Sequence, residues 1–150
     1  MPRRIATLLL LALALSSCSY SYGVLATVRN GRVVFIVDPA SSQQPSCLRR
    51  IEVIAEYERD PIWEESVSYD DDCENKFPLP YGARLEGQHQ QNQKMADAKP
   101  LRRGITYEVS TTTGATGYGG GRFVVRPDGR LENLPYREEA AQESKTSSNP

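Results

Sequence analysis

The sequence predicts an all-β domain behind an N-terminal export signal. Apolar and polar side chains alternate through Val24–Val28, through Ile51–Tyr57 and again through Ile105–Thr111, which is the period-two pattern of half-buried strands. Asn30-Gly31 lies between two apolar runs and is the strongest two-residue hairpin signal, because both turn positions need a positive φ. These observations together predict paired strands in an antiparallel sheet.

The N-terminal segment has the features of an export signal. Arg3 and Arg4 form a short basic head, and Ile5–Leu15 is an apolar run that is broken only by Thr7. This run has the length of a signal-peptide core and is too short to span a bilayer as a mature helix. Residues 1–17 are therefore expected to form a signal helix that is removed from the mature chain.

Leu15-Ser16-Ser17-Cys18, which ends this segment, resembles the lipobox of bacterial lipoproteins. In that family the cysteine thiol is diacylated, the signal is cut just before it, and the new amino terminus is acylated. The resemblance implies that Cys18 becomes the first mature residue and contacts membrane lipid through its acyl chains. By the enterobacterial sorting rule, Ser19 in place of aspartate implies the periplasmic face of the outer membrane. An ordinary secretory signal followed by a structural cysteine is the alternative.

The cysteine count favours lipidation. The chain has three cysteines, Cys18, Cys47 and Cys73, so one thiol would be left over in an oxidising compartment. Lipidation of Cys18 leaves one even pair, and a Cys47–Cys73 disulfide is therefore expected. Closing the loop between them contributes ~3 kcal/mol in the chain-entropy model. A metal site formed by these two cysteines and His89 is the weaker alternative, because the CxxC spacing is absent.

The charge balance argues against nucleic acid as a partner. The formal net charge of −1 becomes −3 when Arg3 and Arg4 leave with the signal, and the remaining arginine pairs are isolated. Those pairs, Arg49-Arg50 and Arg102-Arg103, flank strand-like segments. Arginines at strand ends more often discourage edge-to-edge pairing than bind phosphate.

The remaining strands follow from the same alternation and from its interruptions. Trp63 is expected to be a core or edge packing residue. Pro78 and Pro80 interrupt any central strand, which leaves Arg84–Glu86 as a short candidate. The predicted strands cover 24–37 as a hairpin, 47–57, 62–67, 84–86, 105–111, 123–125 and 130–134.

A glycine-rich stretch joins the last two long strands. Gly114–Gly121 is predicted to be a mobile hairpin loop that presents Tyr118 and Gly119 to a partner. It does not end in the Gly-Lys-Ser/Thr of a Walker loop, and no helix is signalled after it, so it is not interpreted as a phosphate site.

A second predicted binding surface is acidic. Asp70, Asp71 and Asp72 precede Cys73 and form an acidic loop. Calcium binding is an alternative role for these carboxylates. Their spacing does not match the EF-hand loop, and the glycine needed at its bend is absent, so a solvated loop is the favoured interpretation.

Leu101-Arg102-Arg103-Gly104-Ile105-Thr106-Tyr107-Glu108-Val109 resembles the segment of fibronectin type III domains that leads into strand F. In those domains a tyrosine hydroxyl bonds back to the backbone and forms a tyrosine corner. The resemblance implies that Leu101 fills the core, Gly104 makes the turn and Tyr107 makes the corner. It also implies an immunoglobulin-like antiparallel β-sandwich, with a transthyretin-like sandwich as the alternative. The sequence departs from the pattern at Phe35, where a tryptophan is expected.

The predicted organisation has four parts. Residues 1–17 are the signal peptide, 18–23 the lipidated tether, 24–135 the β-sandwich domain and 136–150 a polar tail that is expected to be disordered. Catalysis is not expected, because His89 is the only histidine and lies in a polar loop without a nucleophile or carboxylate motif around it.

The favoured function is a non-catalytic binding or structural module of the cell envelope, with another envelope protein as its partner. Neither a cofactor nor a metal ion is expected. The alternatives are a lipoprotein that binds a small ligand or calcium and, least favoured, an envelope hydrolase.

Overall fold

The computed structural model describes residues 19–89, 95–114 and 116–135. These ranges contain eight strands and no helix, so the predicted all-β class is confirmed. The predicted signal helix, Cys18 and the tail at 136–150 lie outside the described residues. The strands are β1 Tyr20–Arg29, β2 Arg32–Val37, β3 Arg50–Ala55, β4 Trp63–Ser66, β5 Leu79–Pro80, β6 Thr106–Thr112, β7 Gly117–Val125 and β8 Leu131–Leu134.

The strands form one mixed sheet in the order β4-β3-β6-β7-β1-β2-β5, and β8 pairs with β7. All pairings are antiparallel except that between β1 and β7, which run parallel. The prediction of a purely antiparallel sheet is therefore wrong at this one pairing. Alternation within a strand reports which side chains are buried, and it carries no information about the direction of the neighbouring strand.

β1 has different neighbours along its length. Tyr20–Gly23 pairs with the start of β7, whereas Val24–Arg29 pairs with β2. From Arg122 onward, β8 pairs with the edge of β7 that β1 contacts at the start of the strand. Four residues that were expected to belong to the tether are thus part of a strand, and the predicted domain start at residue 24 is the point where β1 changes partners.

Glycines on β7 make room for the tyrosines of β1. A Cβ atom at Gly117 would lie 2.7 Å from the hydroxyl oxygen of Tyr20, and one at Gly119 would overlap the ring of Tyr22. Glycine in a strand often marks a place where another group approaches closely. The polar-looking segment Tyr20–Gly23 is therefore ordered, because its tyrosine rings lie over glycine backbone.

Gly121 leaves no room for a Cβ atom where β1 passes β7. A Cβ atom there would overlap the carbonyl oxygen of Val24, which is backbone and cannot move aside. The predicted mobile loop at Gly114–Gly121 is therefore wrong, because its residues from Gly117 onward belong to β7. The glycines serve close packing in a strand, and the connection between β6 and β7 is only a short turn.

Aromatic rings from distant strands meet in the core. Phe35 of β2 stacks on Trp63 of β4 with ring centroids 6.1 Å apart, and it also contacts Phe123 of β7 at 5.7 Å. β2 and β4 are far apart in the strand order, so this contact requires the sheet to curl around the core. Trp63 is 1% exposed, which confirms its interpretation as a packing residue.

Local predictions succeed where a turn or alternation is strong. Asn30 and Gly31 have φ values of 51° and 74°, so the predicted hairpin turn is confirmed. β3 ends at Ala55, however, and Tyr57 is 93% exposed in a turn with φ 71°, so its predicted place on the strand face is wrong. The sequence pattern continues past the end of β3 because Tyr57, an aromatic residue, falls on the position of a buried side chain. In the structure this side chain points into solvent.

The short edge strand is displaced from its predicted position. β5 is Leu79–Pro80, whereas Arg84–Glu86 is not in a strand. Phe35 and Leu79 are paired across β2 and β5, and Leu79 is buried. Pro80 is tolerated because β5 lies at the edge of the sheet, where a missing N–H costs no ladder hydrogen bond.

The segment before β6 folds back on β7. The Tyr107 hydroxyl accepts a hydrogen bond from the Arg102 amide at 2.7 Å, and the ring is 1% exposed. Gly104 has φ 76°, a conformation that favours glycine, and Leu101 packs against the core. Leu101, Gly104 and Tyr107 thus form a turn whose end is fixed by a side chain-to-backbone bond.

Candidate functional site

A cleft opens where β1 leaves β7. It is an open surface cleft with a volume of about 790 Å³. We call it the crossing cleft; it is bounded by Ser21–Leu25, Asp38, Ala40–Ser42, Tyr118–Gly121 and Asn133–Pro135. The floor is largely backbone, because glycines occupy both strands where they separate.

One wall of the crossing cleft is fixed to Gly23. The Gly23 amide donates to Ser41 Oγ at 2.8 Å, and the Asp38 amide donates to the Gly23 carbonyl at 2.8 Å. The Asp38 carboxylate also accepts a hydrogen bond from the Ala40 amide at 2.9 Å. Among the described residues that line the cleft, Asp38 is the only one with a charged side chain.

The opposite wall is fixed by Asn133. Its side-chain amide donates to the Ala26 carbonyl and accepts from the Ala26 amide, both at 2.8 Å. Asn133 thus makes the two hydrogen bonds that a neighbouring strand would make, at the edge of β1 beyond its contact with β7. Both walls are therefore held in place by hydrogen bonds to β1, and the cleft is preformed.

Tyr118 and Gly119, predicted as partner-binding residues, both lie in the crossing cleft. Tyr118 is 50% exposed. Gly119 is buried under the ring of Tyr22, and its lack of a side chain leaves room for that ring. The Tyr22 hydroxyl is 2.8 Å from Thr111 Oγ1, and burial raises the pKa of this tyrosine above its ordinary value. The ring beneath the cleft therefore stays neutral and fixed.

Asp70, Asp71 and Asp72 do not line the crossing cleft. Their segment passes the β6–β7 turn at both ends, because the Tyr69 ring is 4.0 Å from the Cβ position of Gly114 and Cys73 Sγ is 3.9 Å from the Thr113 carbonyl oxygen. Asp71 accepts a hydrogen bond from the Gln88 amide, so one of the three carboxylates holds neighbouring backbone in place.

The predicted Cys47–Cys73 disulfide is confirmed, with Cα atoms 5.5 Å apart. Both sulfur atoms lie 3.9 Å from the Thr113 carbonyl oxygen at the end of β6. The disulfide therefore brings the segment before β3 and the acidic loop to the same end of the molecule as the β6–β7 turn.

The described ranges contain no group of three or more His, Cys, Asp and Glu residues that is placed to hold a metal ion. His89, which the sequence placed in a polar loop, is half-buried, and its Nδ1 is 2.8 Å from the Ser66 carbonyl oxygen. Its ring therefore has a structural contact that the polar sequence around it did not indicate.

Sequence reasoning missed Asp38, Ser41 and Asn133. Asp38-Pro39 indicated only the end of a strand, and Asn133 looked like an ordinary polar residue of the last strand. Their common role, hydrogen bonding to the backbone of β1, depends on where β1 changes its partner strand. The sequence carries one signal for this change: tyrosines in Tyr20–Gly23 and glycines in Gly117–Gly121.

Comparisons with protein-family models, curated proteins and solved structures found no match. In the described ranges, no helix has the length and apolar character needed to cross a membrane. The interpretation of the crossing cleft therefore depends on the residues of this chain.

Proposed function

We propose that this protein is a lipid-anchored, non-catalytic binding module of the bacterial cell envelope. The Leu15-Ser16-Ser17-Cys18 motif supports an anchor at Cys18, and Ser19 supports retention at the periplasmic face of the outer membrane. The observation that carries the binding role is the crossing cleft, a preformed site of about 790 Å³ with Tyr118 at its rim. Its partner is another protein of the envelope.

The proposed fold is an immunoglobulin-like β-sandwich. In this fold β4-β3-β6-β7 form one layer, β1-β2-β5 form the other, and β1 passes from the first layer to the second. The contact between Phe35 and Trp63 supports two facing layers, and the hydrogen bond between Tyr107 and Arg102 supports the tyrosine corner. Such a scaffold holds its loops rigidly enough for recognition.

The cleft fits a partner segment with hydrogen-bonding groups and one aromatic or apolar contact. Tyr118 offers an amphipathic ring with few rotatable bonds, a residue type that often contributes strongly to interfaces. Asp38 and the hydroxyl groups of Ser21 and Ser42 surround a glycine floor that allows close approach. A neutral or basic segment is therefore favoured over an acidic one.

The anchor is tested by the intact mass of protein extracted from membranes. A chain that begins at Cys18 and carries acyl groups is expected, whereas Cys18→Ser is expected in the soluble fraction without them. An unmodified Cys18 in the membrane fraction, or a Cys18→Ser chain that remains fully membrane-bound, would contradict the anchor.

The binding role is tested by photo-crosslinking in intact cells. A photoreactive residue replaces exposed Ser42 on the cleft wall, and the same residue at exposed Tyr57, far from the cleft, serves as the matched control. One recurrent envelope protein is expected from position 42 and not from 57. Its capture is expected to fall when Tyr118→Ala or Asp38→Asn is added; capture that ignores both changes would count against the cleft.

A further inference from the structure

The start of β1 determines which end of the domain is closest to the proposed anchor. Ser19 is the only residue between Cys18 and β1, which starts at Tyr20. Successive Cα atoms are about 3.8 Å apart, so the Cα of Cys18 lies within about 8 Å of that of Tyr20. The Tyr20 amide donates to the Thr116 carbonyl at 2.8 Å, which fixes this point beside the β6–β7 turn.

Exposed tyrosines surround this end of the domain. Tyr69, whose Cε1 is 4.0 Å from the Cβ position of Gly114, is 64% exposed, and Tyr118, the second residue of β7, is 50% exposed. The ring of Tyr20 is half-buried against that of Tyr22, with centroids 6.2 Å apart. We call the surface formed by Tyr20, Tyr69, Gly114, Thr116 and Tyr118 the anchor end.

The other large hydrophobic side chains that are exposed in the described ranges lie at the opposite end. Val28 is 54% exposed and precedes the Asn30-Gly31 turn, to which β1 runs from the anchor end. Tyr57 follows β3, whose first residue lies in the same cross-strand row as Tyr118. At about 3.3 Å per strand residue, Tyr57 is roughly 20 Å further from the anchor end than Tyr118 is.

We infer that the anchor end lies against the lipid surface, with Tyr69 in the headgroup region and Tyr118 at its boundary, where the crossing cleft begins. The inference rests on the proposed lipid anchor at Cys18 and specifies the face that this anchor turns toward the membrane. Tyrosine suits this position, because its ring is apolar and its hydroxyl can remain hydrated. The headgroup region is roughly 5–8 Å thick on each side of a bilayer, which matches the reach of a side chain.

The charge at the anchor end favours one lipid headgroup charge over another. Asp70, Asp71 and Asp72 follow Tyr69 directly, and Glu74 follows the disulfide. Carboxylates within a Debye length of about 8 Å of an anionic surface are repelled by it. Arg49, whose Cδ and Nε lie 3.7 Å from the Cβ position of Gly114, offsets one of these four carboxylates, so this end stays acidic and its occupant is a zwitterionic lipid face.

This orientation separates two surfaces that the sequence had grouped together. The acidic loop and the β6–β7 turn face lipid, and they are unavailable to a protein partner. The crossing cleft begins at Tyr118 and extends away from the anchor end toward Asn133. Its far part stays open to a partner beside the membrane.

The orientation is tested with acylated protein in phosphatidylcholine vesicles. A photoreactive phenylalanine analogue replaces Tyr69 or Tyr118, and the matched control carries it at Tyr57. All three positions are exposed, and circular dichroism with an intact Cys47–Cys73 disulfide checks the fold. Because the headgroup region does not extend roughly 20 Å, lipid adducts are expected at least about tenfold more often at 69 and 118 than at 57.

The possible outcomes distinguish this inference from the proposed function. Equal adduct yields at the three positions, or most adducts at 57, in a preparation whose intact mass shows acyl chains, would overturn the orientation and leave the anchor standing. A preparation whose mass shows no acyl chains on Cys18 overturns the anchor and the orientation with it. Replacing part of the phosphatidylcholine by phosphatidylglycerol is expected to lower the yield at 69, and an increase would contradict the zwitterionic preference.

Discussion

Gly121 has the least room of the β7 glycines, because a Cβ atom there would meet the Val24 backbone. The Gly121→Ala change is expected to reduce the free energy of unfolding by about 3 kcal/mol or more, since overpacking against backbone is relieved only by strand separation. Urea unfolding of the variant and the parent protein measures this difference.

The matched control is Ser110→Ala on the neighbouring strand. Ser110 is exposed in β6, so its loss is expected to change the free energy of unfolding by less than about 0.5 kcal/mol. Equal stability of the Gly121→Ala and Ser110→Ala variants would mean that β1 does not lie against β7 in solution.

Tyr81 links stability to alkaline pH. Its hydroxyl donates to the Lys99 carbonyl at 2.7 Å, its ring contacts Trp63 at 5.1 Å, and burial raises its pKa well above the ordinary 10.0. Unfolded tyrosine ionises above pH 10, whereas folded Tyr81 keeps its proton. The stability that this group contributes is therefore complete below pH 10 and is lost as the pH rises beyond it.

The expected result is a urea midpoint that falls between pH 10 and 11.5 and falls less steeply in Tyr81→Phe. Tyr57→Phe is the control, because that side chain is 93% exposed and should leave the slope unchanged. An identical slope for Tyr81→Phe and the parent protein would show that Tyr81 ionises as readily in the folded state as in the unfolded chain.

At the scale of the strand, Asn133 takes the place of a neighbour that β1 lacks. Ala26 is 3% exposed and its two hydrogen bonds to Asn133 are part-buried, so removing the Asn133 amide leaves an N–H and a C=O that water reaches only in part. Asn133→Ala is expected to cost about 2 kcal/mol of unfolding free energy, within the usual range for unsatisfied buried groups. Thermal unfolding monitored by near-ultraviolet circular dichroism measures this cost.

Asn133→Asp separates the two hydrogen bonds. Its carboxylate can accept from the Ala26 amide, but it would face the Ala26 carbonyl without a donor. At neutral pH this variant is expected to be at least as unstable as Asn133→Ala, and protonation at low pH should narrow its difference from the parent protein. A fully stable Asn133→Asp protein at pH 7 would contradict the paired geometry.

Strands defined by alternation within one segment were predictable, and those defined by packing between segments were not. The hairpin at Asn30-Gly31 and the buried face of β3 follow from local pattern. The start of β1 does not, because Tyr20-Ser21-Tyr22-Gly23 resembles a polar tether until the glycines of β7 are placed beneath its rings. The same missing contact made the glycines of β7 look like a loop.

The candidate site was predictable only in part for the same reason. Tyr118 stood out because a large aromatic residue among glycines has few neighbours to pack against. Asp38 and Asn133 carry no local signal, since their roles depend on where β1 leaves β7 and on backbone groups that are exposed there. A site formed by a change of strand partner is visible only once the pairing is known.

At the scale of the whole molecule, one strand relates the proposed anchor to the proposed binding site. β1 begins beside the β6–β7 turn, pairs with β7 for four residues, and then forms the floor of the crossing cleft as it departs. Since Ser19 is the only residue between Cys18 and this strand, the proposed tether allows the domain little independent rotation. The height and direction of the cleft above the membrane are therefore set by the same short segment.

Lengthening the tether tests this coupling. A flexible Gly/Ser insert of about 20 residues between Ser19 and Tyr20 gives a root-mean-square reach of roughly 25 Å, which exceeds the thickness of the headgroup region. Lipid adducts from position 118 are expected to fall severalfold, because two or three tyrosine contacts alone hold a domain weakly once its effective concentration drops. Acylation at Cys18 and the urea midpoint should be unchanged, since the Tyr20 amide keeps its bond to Thr116.

The same insert should weaken partner capture from Ser42 in cells if the partner is itself fixed at a given height in the envelope. A partner that binds equally well with the long tether would show that the cleft recognises it without help from the membrane. Adduct yields from position 118 that match those of the short tether would instead mean that the anchor end binds lipid through its own side chains. The tether length thus separates orientation by the acyl chains from orientation by the tyrosines.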